Sequence, residues 1–316
     1  MSKETFSRRN ILKLLGASGL APLLPGLSHG TPAIKPPLAA SSFTYCLNMS
    51  TIRGQRLGFV KELETASKAG FHSVEIWMNS LQTYLTNGGT ITEAKKRIDD
   101  LGLTIENSIG FAEWIVNDDT RRKQGLELMK KEMDLLAQIG CKRTAAPPAG
   151  ATETPGLSLK DAAARYHSIL ELGETTGVVP HLELWGFSKN LARLSEVFYV
   201  AIEAAHPSAK VLLDVYHLYK GGSSLEALSL VNPASVEILH MNDYPAELSP
   251  SVINDADRIY PGDGIAPTKK ILELLGHHDK PLVLSTEVFN KNYYSQDALI
   301  VAKTALEKMQ KIVSAL

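Results

Sequence analysis

The chain has 316 residues, 44% of them hydrophobic and 21% charged, with a formal net charge of −1. This is the composition of an ordinary globular protein with room for one large domain or two small ones. It has no excess positive charge to hold a nucleic acid or an anionic membrane, and its two cysteines, Cys46 and Cys141, make neither a disulfide framework nor a zinc knuckle.

Residues 1–40 read as a leader and linker, and 41–316 as one folded domain. Ser7-Arg8-Arg9-Asn10-Ile11-Leu12-Lys13 resembles the twin-arginine export motif, with Ile11 where Phe is common. A moderately apolar run, Leu14 to Leu27, is broken by Pro22 and Pro25, and small residues and prolines follow to about Ser41. This is too short and broken to span a bilayer. It implies handling by the twin-arginine translocase, a periplasmic or otherwise exported location, and no stable membrane anchor.

From Phe43 onward, strand-like and helix-like segments alternate. Thr44 to Met49 reads as a strand and Arg56 to Ala69 as a helix ended by Gly70. Ser73 to Met78 is a second strand, and Thr92 to Leu101 a helix stopped by Gly102. Thr104 to Ile109 is a third strand. The apolar spacing of Leu126, Met129, Met133, Leu136 and Ala137 marks a long amphipathic helix over Asp119 to Ile139. Lys142 to Ala146 is a weaker fourth strand, and Ser158 to Thr176 a helix stopped by Gly177. Strands ending near Glu183, Asp214, His240 and Glu287 then alternate with helices at 190–205, near Leu225, at 267–275 and at 296–313. Repeated strand–helix units over this length predict a (β/α)8 TIM barrel. A doubly wound open sheet is the alternative. It is weakened because Asn48-Met49-Ser50 is no dinucleotide-binding turn. The longest irregular connection, Pro245 to Pro267, follows strand seven, on the barrel face where active sites lie.

The last four strands carry the chemistry. Each begins aliphatic and turns polar at its exit, delivering Glu183, Asp214, His240 and Glu287 in turn. Alternation puts these residues on the faces of His181, Leu212, Ile238 and Ser285, one layer below. Three carboxylates and one imidazole form a ligand set for one divalent ion: Mn²⁺ first, with Mg²⁺, Co²⁺ or Zn²⁺ as alternatives. His217, three residues beyond Asp214, has the wrong parity and reaches the same cavity only if the strand has already ended. His181 reads as a core histidine, and His72, His277 and His278 as surface residues. Trp77, Trp114 and Trp185, near strand ends or their loops, are candidates for apolar walls of a cavity, with plain packing as the competing explanation.

DVYHLYKGG, LHMNDYPAE, DADRIYPGDG and STEVFNKNYY resemble the xylose isomerase-like TIM barrels, the sugar phosphate isomerase/epimerase family, in its inosose isomerase and ketose epimerase branch. The resemblance runs from about Phe43 to Leu316. It implies that Glu183, Asp214, His240 and Glu287 are metal ligands, and that His217, Arg258 and Glu75, the last at the acidic position ending strand two, contact substrate. With Trp185 as a wall, the implied substrate is a small keto-sugar or inosose. The chain has no phosphate-binding glycine loop, and an exported enzyme seldom meets phosphorylated sugars, so an unphosphorylated sugar is expected. Glu183 and Glu287 would then move a proton next to a carbonyl, one removing it and the other returning it. A lyase or hydrolase acting on 3-keto-glycosides needs the same residues and is the main alternative. An endonuclease IV-like phosphodiesterase is poorly supported, because Trp77 and Ser108 stand where extra histidines would be needed. A non-catalytic sugar-binding protein would need no glutamate pair. A homo-oligomer is compatible with the sequence.

Overall fold

The strands are short, at four to six residues, and almost every position in them is buried. They are β1 (Phe43–Asn48), β2 (Ser73–Trp77), β3 (Thr104–Ile109), β4 (Arg143–Ala146), β5 (Val179–Glu183), β6 (Val211–Asp214), β7 (Ile238–Met241) and β8 (Leu282–Thr286). In this computed structural model, residues 38–276 and 280–316 are described. The Arg8-Arg9 leader, His277 and His278 lie outside them.

All eight strands run parallel in the order β3-β2-β1-β8-β7-β6-β5-β4, so the sheet curls into a TIM barrel with helices outside. The two end strands, β3 and β4, meet through side chains. Ser108 and Thr144 share a hydroxyl–hydroxyl hydrogen bond of 2.9 Å, and Arg143 donates to Glu106 at 3.1 Å.

Strand alternation divides the core in two. Cys46, Ile109, Ala145, Leu212, Ile238 and Val283 pack together in the barrel interior. Residues of opposite parity, such as Leu47, Val74, Leu213 and Leu239, pack outward among helix residues including Leu63, Ile98 and Met133. Leu212 and Ile238 therefore stand below Asp214 and His240 as their parity requires. Both cysteines are buried and unpaired.

Helix ends follow local chemistry. Ser158 caps the Leu159–Thr176 helix by accepting from the Asp161 amide, and Gly177 ends it at φ +74°. Three α-helices lie where none was expected from the sequence, Met78–Thr86, Val215–Lys220 and the four-residue Lys291–Tyr294. The first two begin at the residue after their strands end. No described helix is long and apolar enough to cross a membrane.

Trp114 is fully buried, with Nε1 donating to the Pro147 carbonyl at 2.8 Å, so it is a packing residue and not a cavity wall. His181 is buried beneath Glu183 and its pKa falls to about 3, chiefly through burial, which keeps it a neutral core histidine.

Glu132, whose carboxylate lies against Gly110 just past the end of β3, gives a prediction about stability. Burial pushes its carboxyl from 4.5 up to about 7, against the opposing hydrogen bond from Gln82 at 3.1 Å. The folded state therefore binds more protons than the unfolded chain between those values, and stability falls as pH rises through that window. Glu132→Gln should remove this loss, gaining up to about 3 kcal/mol over the wild type at pH 8 relative to pH 4. Denaturant titrations at the two pH values measure it. An equal difference at both would show that Glu132 is not the group responsible.

Candidate active site

Asp214 and His240 sit at the ends of β6 and β7, Glu183 ends β5, and Glu287 follows β8 by one residue. His240 is the hub. Its Nδ1 lies 3.2 Å from Glu287 Oε2, 3.6 Å from Asp214 Oδ2 and 4.0 Å from Glu183 Oε1. Asp214, His240 and Glu287 each offer a ligand atom within 4.8 Å of the others, and all three are buried. Glu183 stands beside this group, with its Oε2 free of any hydrogen-bond partner.

Below the hub is a layer of which the sequence pointed only to Glu75, and to it as a substrate contact; its partners Asn48, Asn107 and Ser285 were missed. Glu75 is fully buried, and its Oε2 lies 3.0 Å from His240 Nε2. It also accepts from Asn48 (2.7 Å), Asn107 (2.6 Å) and Ser285 (2.7 Å). Both oxygens are engaged, and the residue does not line the cavity. Glu75 thus stands beneath His240, away from where a substrate would lie, and its partners fix the imidazole. The available signal was asparagine within buried strands: Asn48 and Asn107 share the Glu75 rung of the sheet. Burial would raise the Glu75 pKa, but His240 and these hydrogen bonds bring it below its ordinary value. His240 shows the converse. Burial alone would lower its pKa, but Glu287 and Glu75 drive it well above the usual range.

Arg258 closes the site from above. It lies in the connection after β7, which Asp243 fastens down. Asp243 pairs with Ile259, and its carboxylate accepts from the amides of Tyr244 (2.8 Å), Gly262 (3.0 Å) and Ala266 (2.8 Å). A Cβ on Gly264 would fall 2.5 Å from Asp243 Oδ1, so only glycine fits there. Arg258 is 1% exposed. Its Nη1 donates to Asp214 Oδ2 and Glu287 Oε2, both at 2.8 Å, and its Nη2 donates to Asp255 and to His217 Nε2 at 3.1 Å.

The last contact fixes the His217 tautomer, since arginine only donates: Nε2 accepts and the proton is on Nδ1. His217 reaches this place because β6 stops at Asp214 and turns at once into Val215–Lys220, capped by Asp214 accepting from the His217 amide at 2.9 Å. Burial lowers its pKa to about 4, so the ring is neutral at pH 7. Asn242 completes the frame by donating to Asp214 and to the Glu287 carbonyl.

Removing Arg258 would strand two buried carboxylates. Arg258→Ala is expected to destabilise the metal-free protein by about 3–5 kcal/mol, read by denaturant unfolding. A loss below about 1 kcal/mol would show that Asp214 and Glu287 do not depend on it.

Glu183, Glu287, His217 and Arg258 open onto a cavity of about 450 Å³, with Trp77, Phe111, Trp185, Phe187 and Phe289 as its aromatic sides. Trp185 stacks on Phe187 with ring centroids 5.2 Å apart. The Glu183 carboxyl is pushed up to about 8, first by burial and then by Glu287, with His240 opposing. The two glutamates are therefore in unlike settings. Glu287 accepts from Asn48 at 3.1 Å and from Arg258, whereas Glu183 has a free oxygen.

This donor set suits a divalent cation. It combines one imidazole nitrogen without a hydrogen-bond partner, a ring fixed from behind by a carboxylate, and carboxylate oxygens converging from neighbouring strands.

A parallel barrel with such a centre at the carboxyl ends of its strands defines a class, and the sequence agrees: residues 63–312 match the xylose isomerase-like TIM barrel family, to which this chain belongs. The chain is 26% identical over 279 residues to the inosose isomerase of Halalkalibacterium halodurans, covering 85% of this chain and 96% of that protein. The crystal structure of the IolI protein with a bound zinc atom superposes with a TM-score of 0.81 at 21% identity, over 86% of this chain and 99% of that one. L-ribulose 3-epimerase gives a TM-score of 0.68 at 17% identity, over 86% and 95%.

Proposed function

We propose that this protein is a divalent-metal-dependent isomerase or epimerase of an unphosphorylated keto-sugar or inosose. The observation that carries the reading is the pair of unlike glutamates, Glu183 and Glu287, reaching the cavity from either side of His240. Carboxyl groups set apart by their surroundings are suited to opposite halves of a proton transfer. Asp214, His240 and Glu287, with Glu183 alongside, would hold the ion, with manganese the first choice. When bound, such an ion supplies a Lewis acid for the carbonyl oxygen and the neighbouring hydroxyl.

The protein's own groups do the rest. One glutamate takes the proton from the carbon next to the carbonyl, and the other returns a proton to the opposite face or to the adjacent carbon. His217 and Arg258 direct N–H groups at substrate oxygens: Nδ1–H of His217 and Nε–H of Arg258 are both buried without partners. Trp185 and its aromatic neighbours cover the C–H face of the ring and keep water from the carbanion. Glu75 acts through His240 by holding its ring. The leader around Arg8-Arg9 favours action outside the cytoplasm, where phosphorylated sugars are scarce.

Incubation with inososes and keto-sugars in deuterated water, read by NMR, tests the reading. Deuterium at the α-carbon, or an epimeric product, is expected. Metal-loaded protein that neither exchanges nor converts any carbonyl sugar would refute it. A second reading is favoured by the aromatic mouth, which offers more apolar surface than a bare polyol needs. In it the same proton leaves a 3-keto-glycoside, the bond from C1 to the aglycone oxygen breaks, and the aglycone departs with a proton. Release of an aglycone would decide for it.

A further inference from the structure

A second cavity, of about 650 Å³, opens beside the first, between the segment following β1 (Met49 to Lys61) and the Met78–Thr86 helix. Trp77 is a wall of both. Toward the first cavity its ring packs against Phe111 (5.4 Å) and Phe289 (6.1 Å); toward the second it carries the Arg53 guanidinium 4.1 Å over its centroid. Its Nε1 donates to Asn48 Oδ1 at 2.9 Å, and Asn48 Nδ2 donates to Glu287 Oε1 at 3.1 Å. One amide therefore separates the shared wall from a candidate catalytic carboxylate.

The lining has its own chemical character. Arg53, Arg56 and Lys61 are exposed, and among the described residues none of them forms an ion pair. Arg56 is held at φ +54°, a left-handed conformation that few non-glycine residues adopt. The carboxylate in the lining, Glu62, is buried and accepts from the Ser80 hydroxyl at 2.7 Å. Phe59 and Tyr84, with rings 5.5 Å apart, add apolar surface. Three cations without an ion pair, one of them stacked on Trp77 and also felt by the buried Glu62, beside aromatic walls favour a flat or apolar group ending in an anion. An inosose carries no charge and would leave all three without a partner.

We propose that this cavity is a second subsite, holding a carboxylate-bearing unit linked to the keto-sugar whose α-proton is removed next door. The substrate is then a keto-sugar conjugate with an anionic, ring-bearing second half. This rests on the proton-abstraction reading for the first half only. The Trp77 face positions the link, while Arg53 and Arg56 grip the carboxylate with guanidinium forks.

Three probes test it: the methyl, phenyl and 4-carboxyphenyl glycosides of 3-keto-glucose. The expected order of kcat/KM is 4-carboxyphenyl over phenyl over methyl, with about tenfold between the first two, as a charge-assisted contact gives. In Arg53→Ala and Arg56→Gln, the ratio of 4-carboxyphenyl to phenyl should fall toward one. A ratio near one in the wild type, or one that both variants leave unchanged, overturns the subsite. Calorimetry with 4-carboxyphenyl glucoside, which has no ketone, provides a readout independent of turnover. Binding about tenfold tighter than for phenyl glucoside, and lost in Arg53→Ala, supports the subsite even if no probe reacts. In that case the proton-abstraction reading alone fails. Equal binding of the two glucosides removes the subsite and leaves that reading in place.

Discussion

Glu183→Gln is expected to lower turnover of an accepted keto-sugar by about 10²–10⁴-fold while the ion stays bound. The substitution is close to isosteric, and Glu183 Oε2 has no hydrogen-bond partner, so the amide meets no donor that it would clash with. What disappears is the titratable proton of a carboxyl held near 8 by burial and by Glu287. If Glu183 is half of an acid–base pair, kcat and kcat/KM fall together, because the lost interaction belongs to the transition state. Deuterium wash-in should fall in parallel. A variant that loses its metal in proportion to its activity would instead mark Glu183 as a ligand without a proton-transfer role. A variant with near-normal turnover would remove it from the reaction.

His240→Ala should abolish stoichiometric metal binding. The imidazole is the one nitrogen donor among the converging carboxylates, and its Nδ1 faces Glu287, Asp214 and Glu183. Losing a group that merely supports a ligand typically costs about 10–100-fold in metal affinity, and losing the ligand itself should exceed that. The wild type should gain about 2.7 kcal/mol of stability when Mn²⁺ is raised to a hundred times its dissociation constant. The variant should gain almost nothing, and elemental analysis after dialysis should find it empty. Glu75→Gln, which disturbs only the support, should fall between the two. A His240→Ala protein that still binds one ion per chain would show that the centre lies elsewhere.

Much of this was legible in the residues. The eight strands lie within about a residue of where aliphatic runs and glycine stops place them, and Asp214, His240 and Glu287 converge as strand-end parity requires. Three short helices were not legible, and Lys291–Tyr294, with four residues, is a single turn. Val215–Lys220 has six residues, too few for a helical period to show, and its start is capped by Asp214, which also reads as the end of a strand. That turn brings His217 into the cavity despite its parity. Met78–Thr86 has no side-chain cap and follows β2 without a breaker. The supporting layer that Asn48, Asn107 and Ser285 form around Glu75 was hidden for another reason. Its meaning lies in contacts between strands far apart in sequence, such as Ser285 to Glu75 across 210 residues. The side of the site on which Arg258 acts was equally invisible, because it depends on how Asp243 folds the long connection back.

The grip of Arg258 ties that connection to the charge at the centre. One guanidinium is shared among Asp214, Glu287, His217 and Asp255, so whatever draws Asp214 and Glu287 toward another positive charge takes two of its four acceptors. By thermodynamic reciprocity, the free energy that an incoming cation withdraws from the connection equals the gain in cation affinity when the connection is loosened. The strap and the centre thus behave as two ends of one balance, and Asn254, Asp255 and Ala256, which line the cavity, belong to the strap's end of it.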